Sequence, residues 1–564
     1  MKRTLAVVAV VLITLPGCTG KKNDTGLAAY VDSVMNVNFK PTRPGAVVLV
    51  ARDGVPIVRK AYGLANVELG VANVPENVFA IASMTKQFTA VSILQLVQEG
   101  KLSLLDDIRK YLPGFNTHGR VVTVEQLLSH TNGIPNAVMM QGFAPRELEE
   151  PSVEEILGCV KNDSLLFEPG TDCSYSDYGF TLAALIVEKV SGMHYAEYLQ
   201  RHIFDPVGMA NTAVGTRERS IPRLVSNYNP AGDTLFRPGD YSSWRWELGM
   251  GDIVTNADDM LKWDEALYTE RLVSQELLKK AWSPFVLTGG LKTNYGYGWM
   301  LSEYQGMQLI WHSGGMPGWR STAVRIPSQH LFVVVLSNSG SNNMAVTCAQ
   351  TIALKAAGRP LAAPVIRRLP AEQLRDYAGV YEVRYSGLFM LANMTHDRVY
   401  RYITATDSGL VSWRTGMGPT PLVNVGEDLF LFDKSIIYAR FHRDSSQKVV
   451  SAEVFPDPWR MAPPRFEPKT DLPMPPEKVP VAIDAVTLAA YAGKYTFAGD
   501  DFLRVRVDGG RIYVDRVGEI LPESATRFFA RSTDARVEFR KDAKGAVTGL
   551  VWSQLSTEEA KKTE

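Results

Sequence analysis

Ser83 and Lys86 are the residues whose types and spacing most clearly suggest chemistry, and they lie three positions apart at the start of an apolar stretch. This stretch, residues 81–97, is followed by Gly100 and predicts a helix, because glycine commonly occurs just past a helix end. Side chains at positions i and i+3 share one helix face, so the Lys86 amine can reach the Ser83 hydroxyl. A serine beside a base can attack a carbonyl carbon, and the N–H groups of the first helical turn can hold the resulting oxyanion.

A Ser-x-x-Lys pattern is expected about twice by chance in a chain of this length, so its neighbours decide its meaning. The chain resembles the serine β-lactamase and penicillin-binding protein superfamily in three motifs that occur in the family's order: Ser83-x-x-Lys86, Tyr175-Ser176-Asp177 and His312-Ser313-Gly314. Flanking sequence agrees in residues 127–133, 167–171 and 206–209. The resemblance covers residues 26–358 and is closest to the branch of class C β-lactamases, D-alanyl-D-alanine carboxypeptidases, D-aminopeptidases and related esterases. It implies an α+β fold, in which an antiparallel sheet is flanked by helices and joined by a helical subdomain.

The resemblance also implies how acyl transfer would proceed. Ser83 would attack the carbonyl carbon and form an acyl-enzyme. Lys86 and Tyr175 would carry the proton, since a tyrosine whose pKa is lowered by a neighbouring ammonium can act as base and then as acid. The N–H groups of Ser83 and Gly315 would hold the oxyanion, with Gly314 preceding Gly315 on the same strand.

Three positions near these motifs allow more than one interpretation. His312 stands where many lactamases have lysine, so it would bind a substrate carboxylate or tune Tyr175; alternatively, it is a structural histidine bonded to the backbone. His130 is interpreted as structural. Asp177 replaces the usual asparagine, and an ionised carboxylate can only accept hydrogen bonds. We expect Asp177 in the substrate-binding site either to restrict substrates to those with a free ammonium or to shift the activity to higher pH.

The composition and the amino terminus indicate an exported protein without nucleic-acid partners. The 60 basic residues balance the 60 acidic ones over 564 residues, a length sufficient for about two to four domains. Lys2 and Arg3 precede a short apolar run that ends before Cys18. This pattern resembles a bacterial lipoprotein signal, so residues 1–18 are predicted to be a signal peptide and lipobox with lipidation at Cys18. The protein would then be periplasmic or at the cell surface and would contact the membrane only through its lipid; plain secretion is the alternative, because Pro16 is unusual in such a signal.

The remaining cysteines and the histidines do not indicate a metal site. Cys159, Cys173 and Cys348 cannot all pair and lack the spacing of zinc ligands, although Cys159 and Cys173 could form a disulfide. The eight histidines are scattered along the chain without the spacing of metal ligands. We therefore expect no metal and no cofactor.

Hydrophobic periodicity and turn residues outline the elements that must position these motifs. Strand pairs are predicted at 46–50 with 57–63 and at 321–326 with 331–337, with further strands at 295–300 and 309–311. Helices are predicted at 27–35, 124–128, 182–190, 258–267 and 344–357.

The composition changes near Pro360, after which short alternating segments predict β structure. The pattern Leu374-x-x-Tyr-Ala-Gly recurs at Leu488, and a proline-dense linker is predicted over residues 456–480. Two barrel-like modules are therefore predicted, at 370–470 and 484–556, and they resemble the lipocalin-like barrels appended to bacterial D-aminopeptidases. They would limit access to the cleft, or else add bulk or bind cell-wall glycan.

Together, these features predict a serine hydrolase that acts through an acyl-enzyme on small peptides or amides with D-residues, as a D-aminopeptidase or D-alanine carboxypeptidase does. β-Lactamase activity is a further expectation of the same site. An esterase for small acyl esters is the alternative enzyme, and a catalytically weak binder or sensor of cell-wall peptides is the alternative from another class. The oligomeric state is not predicted.

Overall fold

The computed structural model describes most of the chain after residue 24. The described ranges are 25–136, 150–160, 164–230, 236–239, 243–340, 344–361, 364–383, 399–407, 409–415, 417–433, 437–456, 466–476, 478–497, 502–530, 533–554 and 557–563. The predicted signal peptide and its lipidation site, Cys18, lie outside these residues.

A six-stranded antiparallel sheet forms the centre of the first 357 residues. Its strands are β1 (Ala46–Arg52), β2 (Val55–Tyr62), β3 (Met300–Tyr304), β4 (Met307–Met316), β5 (Trp319–Ile326) and β6 (Leu331–Ser337), in the spatial order β3-β4-β5-β6-β1-β2. Both predicted strand pairs are confirmed. The core strands β1 and β6 are buried along almost their whole length, since the first and last helices, Thr25–Asn38 and Met344–Ala356, contribute to a core on one face of the sheet.

The helix that carries the Ser83 motif packs on the other face of the sheet. Residues Ala82–Met84 form a 3₁₀ turn that continues into the α-helix Thr85–Gln98. Every residue from Thr85 to Leu96 is buried, because the helix is surrounded by the sheet and by the helical subdomain. The predicted helix is confirmed, but Ser83 lies in the 3₁₀ turn before the α-helix. Gly100 follows with φ +69°, as expected for a residue just past a helix end.

The helical subdomain contributes the second motif. Its helices include Val124–Leu128, Val153–Gly158, Asp177–Ser191 and Tyr195–Leu199. The first matches its prediction and begins at a capping box formed by Thr123 and Gln126. The helix predicted at 182–190 begins five residues earlier, because the Ser176 side chain accepts a hydrogen bond from the Gly179 N–H and caps it. Helices at Ala257–Ala266 and Gln275–Ala281 complete this region.

The predicted strand at 295–300 is wrong for all but its last residue. Only Met300 enters β3, and the preceding segment is irregular. A Cβ atom on Gly296 would lie 1.9 Å from the Ala281 carbonyl oxygen, and one on Gly298 would lie 2.6 Å from the Lys86 carbonyl oxygen. These glycines let the segment pack against two helices, so the alternation of aromatic residues and glycines over 295–299, which resembles a strand in the sequence, serves close packing instead.

Two closed eight-stranded barrels follow, as the internal repeat predicts. The first contains strands Gly379–Val383, Val399–Thr406, Gly409–Arg414, Thr420–Gly426, Leu429–Phe432, Ile437–Arg443, Val449–Pro456 and Phe466–Thr470. The second contains strands Gly493–Thr496, Phe502–Asp508, Arg511–Val514, Gly518–Pro522, Arg527–Ala530, Arg536–Lys541, Val547–Ser553 and Thr557–Lys562. The repeat forms the same bond twice: the Tyr381 hydroxyl donates to the Tyr377 carbonyl oxygen, and the Tyr495 hydroxyl donates to that of Tyr491, each at 2.7 Å.

The predicted linker over 456–480 is wrong in part. Within it, Phe466–Thr470 is the last strand of the first barrel and pairs with both Gly379–Val383 and Val449–Pro456. A strand at the edge of a proline-rich stretch resembles a linker because proline removes backbone donors. The second barrel extends past residue 556, since its last strand, Thr557–Lys562, pairs with the first.

The described residues also bear on the predicted disulfide and on membrane-spanning helices. The structure contains no disulfide between Cys159 and Cys173, nor one from either of them to Cys348. Among the helices that the structure describes, none is both long and apolar enough to cross a membrane.

Replacing Tyr495 with Phe should lower the free energy of unfolding by about 1 kcal/mol, because the buried Tyr491 carbonyl loses its donor. Chemical denaturation followed by circular dichroism measures this loss. Tyr513→Phe is the control, since Tyr513 alternates with the inward-facing Ile512 and Val514 and therefore lies on the outer face of the barrel. Equal stabilities of Tyr495→Phe and the unaltered protein would contradict a stabilising role for the repeated bond.

Candidate active site

The turn that holds Ser83 is fixed at its start by three hydrogen bonds. Ile81 donates its N–H to the Ile253 carbonyl oxygen at 3.0 Å, and its own carbonyl oxygen accepts from the Ser321 hydroxyl at 2.6 Å and the Met84 N–H at 3.2 Å. Ala82 follows with φ +47°, a conformation that costs free energy for any residue with a Cβ atom. Ser83 itself is half-buried between buried neighbours, so its hydroxyl is available to a ligand.

Gly314 allows strand β4 to contact this turn directly. A Cβ atom at this position would lie 2.0 Å from the Ile81 carbonyl oxygen and 2.4 Å from the Ser321 hydroxyl. The following residue, Gly315, pairs with Arg320 of strand β5. The third motif therefore lies against the first one, and the predicted oxyanion donors, Ser83 and Gly315, belong to two segments in contact.

Lys86 is completely buried, and its ammonium has three acceptors. The Nζ atom lies 3.0 Å from the Ser83 Oγ, 2.6 Å from the Asp177 Oδ1 and 3.1 Å from the Met250 carbonyl oxygen. An ammonium has three N–H donors, so each donor is matched by one acceptor. In this arrangement Lys86 is a charged donor to the nucleophile, and it would have to lose a proton before it could act as a base.

Two residues of this site were missed by the sequence analysis. The Met250 carbonyl reaches Lys86 because the adjacent Gly249 has φ +69° and packs tightly, its hypothetical Cβ atom lying 2.4 Å from the Ala184 Cβ. Asn136, which is 5% exposed, donates from its Nδ2 to the Asp177 Oδ2 at 3.0 Å. The loop signal at Gly249 was visible in the sequence, but neither contact has a local pattern.

Asp177 occupies the first turn of the helix Asp177–Ser191. A helix amino terminus favours a carboxylate, because the first N–H groups and the helix dipole carry partial positive charge. One carboxylate oxygen binds Lys86 and the other accepts from Asn136, and the side chain keeps 17% of its surface exposed. Asp177 therefore compensates the Lys86 charge and still contacts solvent beside Ser83.

The prediction of a lowered pKa for Tyr175 is wrong. Burial raises the pKa of Tyr175 well above its ordinary value, the Asp177 charge raises it further, and a hydrogen bond with Ser83 acts in the opposite direction. The Lys86 Nζ lies 4.9 Å from the centre of the Tyr175 ring, a cation–π contact with the ring face. The structure therefore brings Tyr175 to Ser83, but as a neutral phenol.

His312 has a position that does not fit binding of a substrate carboxylate. Its side chain is 0% exposed, and burial lowers the pKa of its imidazole to about 3, so the ring is neutral. Its Nδ1 lies 2.5 Å from the Ser313 carbonyl oxygen, which can only accept, so Nδ1 carries the hydrogen. The Nε2 atom then accepts from the Tyr295 hydroxyl at 2.9 Å. The ring centre lies 6.2 Å from that of Tyr175, so any influence on Tyr175 is indirect.

His130 contacts the second motif at the backbone of Ser176 and at the ring of Tyr175. It is fully buried, has φ +59°, and accepts the Ser176 N–H at its Nδ1 at 3.1 Å. Its ring centre lies 4.2 Å from that of Tyr175 and 4.5 Å from that of Tyr295. Burial lowers the pKa of the imidazole well below its ordinary value, which keeps the ring uncharged. These contacts fit a structural residue that orients Tyr175.

Comparison with known proteins finds one family profile over the first part of the chain and another near its end. Residues 27–357 match the profile of the family described as Beta-lactamase, and residues 477–563 match one described as a Domain of unknown function (DUF3471). Penicillin-binding protein 4* of Bacillus subtilis is 30% identical over 375 residues, which cover 62% of this chain and 80% of that protein. The D-aminopeptidase of Gluconobacter oxydans is 29% identical over 61% of this chain and 64% of its own length.

Solved structures share the fold at lower identity. The octameric penicillin-binding protein homologue from Pyrococcus abyssi aligns with a TM-score of 0.55 and 22% identity, over 79% of this chain and all of that one. The D-amino acid amidase from Ochrobactrum anthropi SV3 aligns with a TM-score of 0.51 and 24% identity, over 59% of this chain and 99% of that one. At these identities the likeness concerns the fold alone.

Replacing Gly314 with Ala should lower the free energy of unfolding by about 1–3 kcal/mol, because the new methyl group overlaps the rigid Ile81 carbonyl. Gly315→Ala is the matched control, since its methyl group would meet only the flexible Arg320 side chain, at 3.3 Å and beyond. Thermal and urea unfolding of both variants measure the difference. Equal losses in the two variants would contradict the close packing of β4 on the Ser83 turn.

Proposed function

Because this chain belongs to the Beta-lactamase family and is a serine hydrolase, we propose that it hydrolyses small peptides and amides that carry a D-residue with a free amino group. The observation that carries the proposal is the contact of Ser83 with Lys86 and of Lys86 with Asp177. The D-residue is suggested by the relative named D-aminopeptidase. The free amino group is suggested by the carboxylate of Asp177, whose surface is partly exposed beside the nucleophile.

The reaction would proceed through an acyl-enzyme. The Ser83 Oγ attacks the substrate carbonyl, its proton passes to the base, and the oxyanion is held by the N–H groups of Ser83 and Gly315. The tetrahedral intermediate then collapses, and the departing amine takes the proton. Water attacks the acyl-enzyme in the same way, which releases the carboxylic acid and restores the Ser83 hydroxyl.

Tyr175 is the base in this proposal. Lys86 already donates to three acceptors, whereas the Tyr175 hydroxyl interacts with Ser83 and becomes a tyrosinate on losing its proton. The Lys86 ammonium beside the ring would stabilise that negative charge. Burial and, after it, the Asp177 charge raise the pKa of Tyr175, so the fraction in the basic form increases only at alkaline pH.

Asp177 would also select the substrate. Asp177 stands where asparagine is usual, so the site lacks the amide donor of that residue. A substrate carbonyl or carboxylate therefore receives no hydrogen bond at this position. A substrate ammonium, by contrast, is attracted to the exposed part of the carboxylate. This favours a substrate with a free amino terminus over its N-acylated form.

Export is a separate proposal that rests on residues 1–18. A lipid at Cys18 would hold the hydrolase at the membrane, where peptidoglycan fragments with D-residues are available. Metabolic labelling with radioactive palmitate tests this, since the label should be incorporated into the unaltered chain and lost in Cys18→Ser.

The first expected result concerns selectivity. The kcat/KM for D-alanine p-nitroanilide should exceed that for its N-acetyl derivative and that for the L-isomer. Asp177→Asn should lower the ratio of kcat/KM for the free amine to kcat/KM for the N-acetyl derivative by about tenfold or more, as for loss of a charged hydrogen bond. Asp205→Asn is the control, because Asp205 also begins a helix but is exposed and contacts Gln200. Preference for the N-acetyl amide, or for p-nitrophenyl acetate over every amide, would contradict the proposal and favour an esterase.

The second expected result concerns pH. Because burial and the Asp177 charge both raise the pKa of Tyr175, the kcat/KM should rise from neutral to alkaline pH. Asp177→Asn removes the second cause and should move this rise to lower pH. The measurement is the pH at which kcat/KM rises, followed from pH 6 to about pH 10.5. The absolute rate is not compared, because the variant also loses the contact of Asp177 with Lys86. A profile that keeps its position in the variant would show that the Asp177 charge does not control the base.

A further inference from the structure

A cavity of about 620 Å³ lies between the two barrels, away from the residues of the candidate active site. One wall belongs to the first barrel and another to the second barrel, and between them Met474, Pro475, Pro476 and Lys478 form a third. Its volume falls within the range of about 300–1,000 Å³ that is usual for small-molecule sites. Nothing in the proposed hydrolysis uses it.

The wall from the first barrel carries an aromatic pair. Along Val399–Thr406, the buried Arg401 and Ile403 face the barrel interior, so the half-buried Tyr402 faces outward. Its cross-strand partner, Trp413, is also half-buried, and the two rings stack with centres 5.5 Å apart at an interplanar angle of 29°. The strand alternation therefore places this aromatic pair on the outside of the barrel, where both residues line the cavity.

The other walls supply polar groups of both signs. Lys478 forms an ion pair with Asp534 at 2.9 Å and lies 5.5 Å from the centre of the Phe529 ring. Arg536 alternates with the inward-facing Val537 and points outward at the same opening. Burial is the main cause of the raised pKa of Tyr402, and the charges of Asp534 and Arg536 also act on it across the gap. The groups of the two barrels are thus close enough to contact one ligand.

The chemistry of these walls favours a sugar ring. The C–H groups on one face of a pyranose pack against an aromatic ring, whose negative face attracts their partial positive charge. Each sugar hydroxyl both donates and accepts, so it needs a rim with donors such as Arg536 and an acceptor such as Asp534. An apolar carboxylate could pair with Arg536, but its hydrocarbon chain would offer no hydroxyl to Asp534.

We propose that the cavity between the barrels binds a short neutral oligosaccharide, with one sugar packed against the open face of the Trp413–Tyr402 pair and its hydroxyls bound by Arg536 and Asp534. This site is independent of the proposed hydrolysis and gives the appended barrels a function of their own. A hydrolase that acts on cell-wall fragments would be held near its substrates by such a site.

Isothermal titration of the full chain with chitotetraose and, separately, with cellotetraose tests the proposal. At least one tetrasaccharide should bind, and Trp413→Leu and Arg536→Ala should each weaken its binding by about tenfold. Arg540→Ala is the matched control, because Arg540 lies on the same strand as Arg536 but contacts Glu538 outside the cavity. Hydrolysis of D-alanine p-nitroanilide should be unchanged in all three variants.

Absence of binding by both tetrasaccharides would overturn the proposal, and so would equal affinities in Arg536→Ala and Arg540→Ala. Binding of octanoate instead of the sugars would assign the cavity to an apolar carboxylate and would overturn it as well. Because Arg536 is exposed, its variant should fold normally, and circular dichroism confirms this in the same samples. If hydrolysis is absent but the sugar still binds, the result contradicts the proposed hydrolase function and leaves the sugar-binding proposal intact.

Discussion

The buried ammonium of Lys86 is the interaction on which the rest of the site depends. A charged group without solvent costs several kcal/mol unless each of its donors is matched. The three acceptors come from segments far apart in sequence: the turn of Ser83, the first residue of the helix at Asp177, and the loop at Met250. The fold must therefore bring three elements to one point, and the close contacts at Gly249 and Gly314 follow from this requirement.

Two residues with a left-handed backbone conformation lie where these segments meet. Ala82 adopts a positive φ immediately before the nucleophile, and His130 does so behind Tyr175. Such conformations persist only where surrounding contacts enforce them, and they are characteristic of functional sites. Here the enforcing contacts are the hydrogen bonds of Ile81 to two neighbouring strands and that of His130 to the second motif.

Much of this arrangement could be predicted from the sequence, because its signals are local. The spacing of Ser83 and Lys86, the strand pairs and the repeated tyrosine motif all depend on neighbouring residues. The contacts of Met250 and Asn136 could not be predicted, since they join segments distant in sequence, and the raised pKa of Tyr175 depends on burial that the sequence does not record. The strand Phe466–Thr470 was mistaken for a linker because its proline content conceals pairing on both sides.

The central claim is that Ser83 is an activated nucleophile that forms an acyl-enzyme. Intact-protein mass spectrometry after incubation with a fluorophosphonate and, separately, with a penicillin tests it most directly, on the unaltered protein and on Ser83→Ala. We predict one adduct per chain with the fluorophosphonate, absent in Ser83→Ala. The penicillin adduct should form more slowly, because Asp177 disfavours N-acylated compounds, and its rate of loss reports deacylation. Folded protein without either adduct, or with adducts that persist in Ser83→Ala, would contradict the claim.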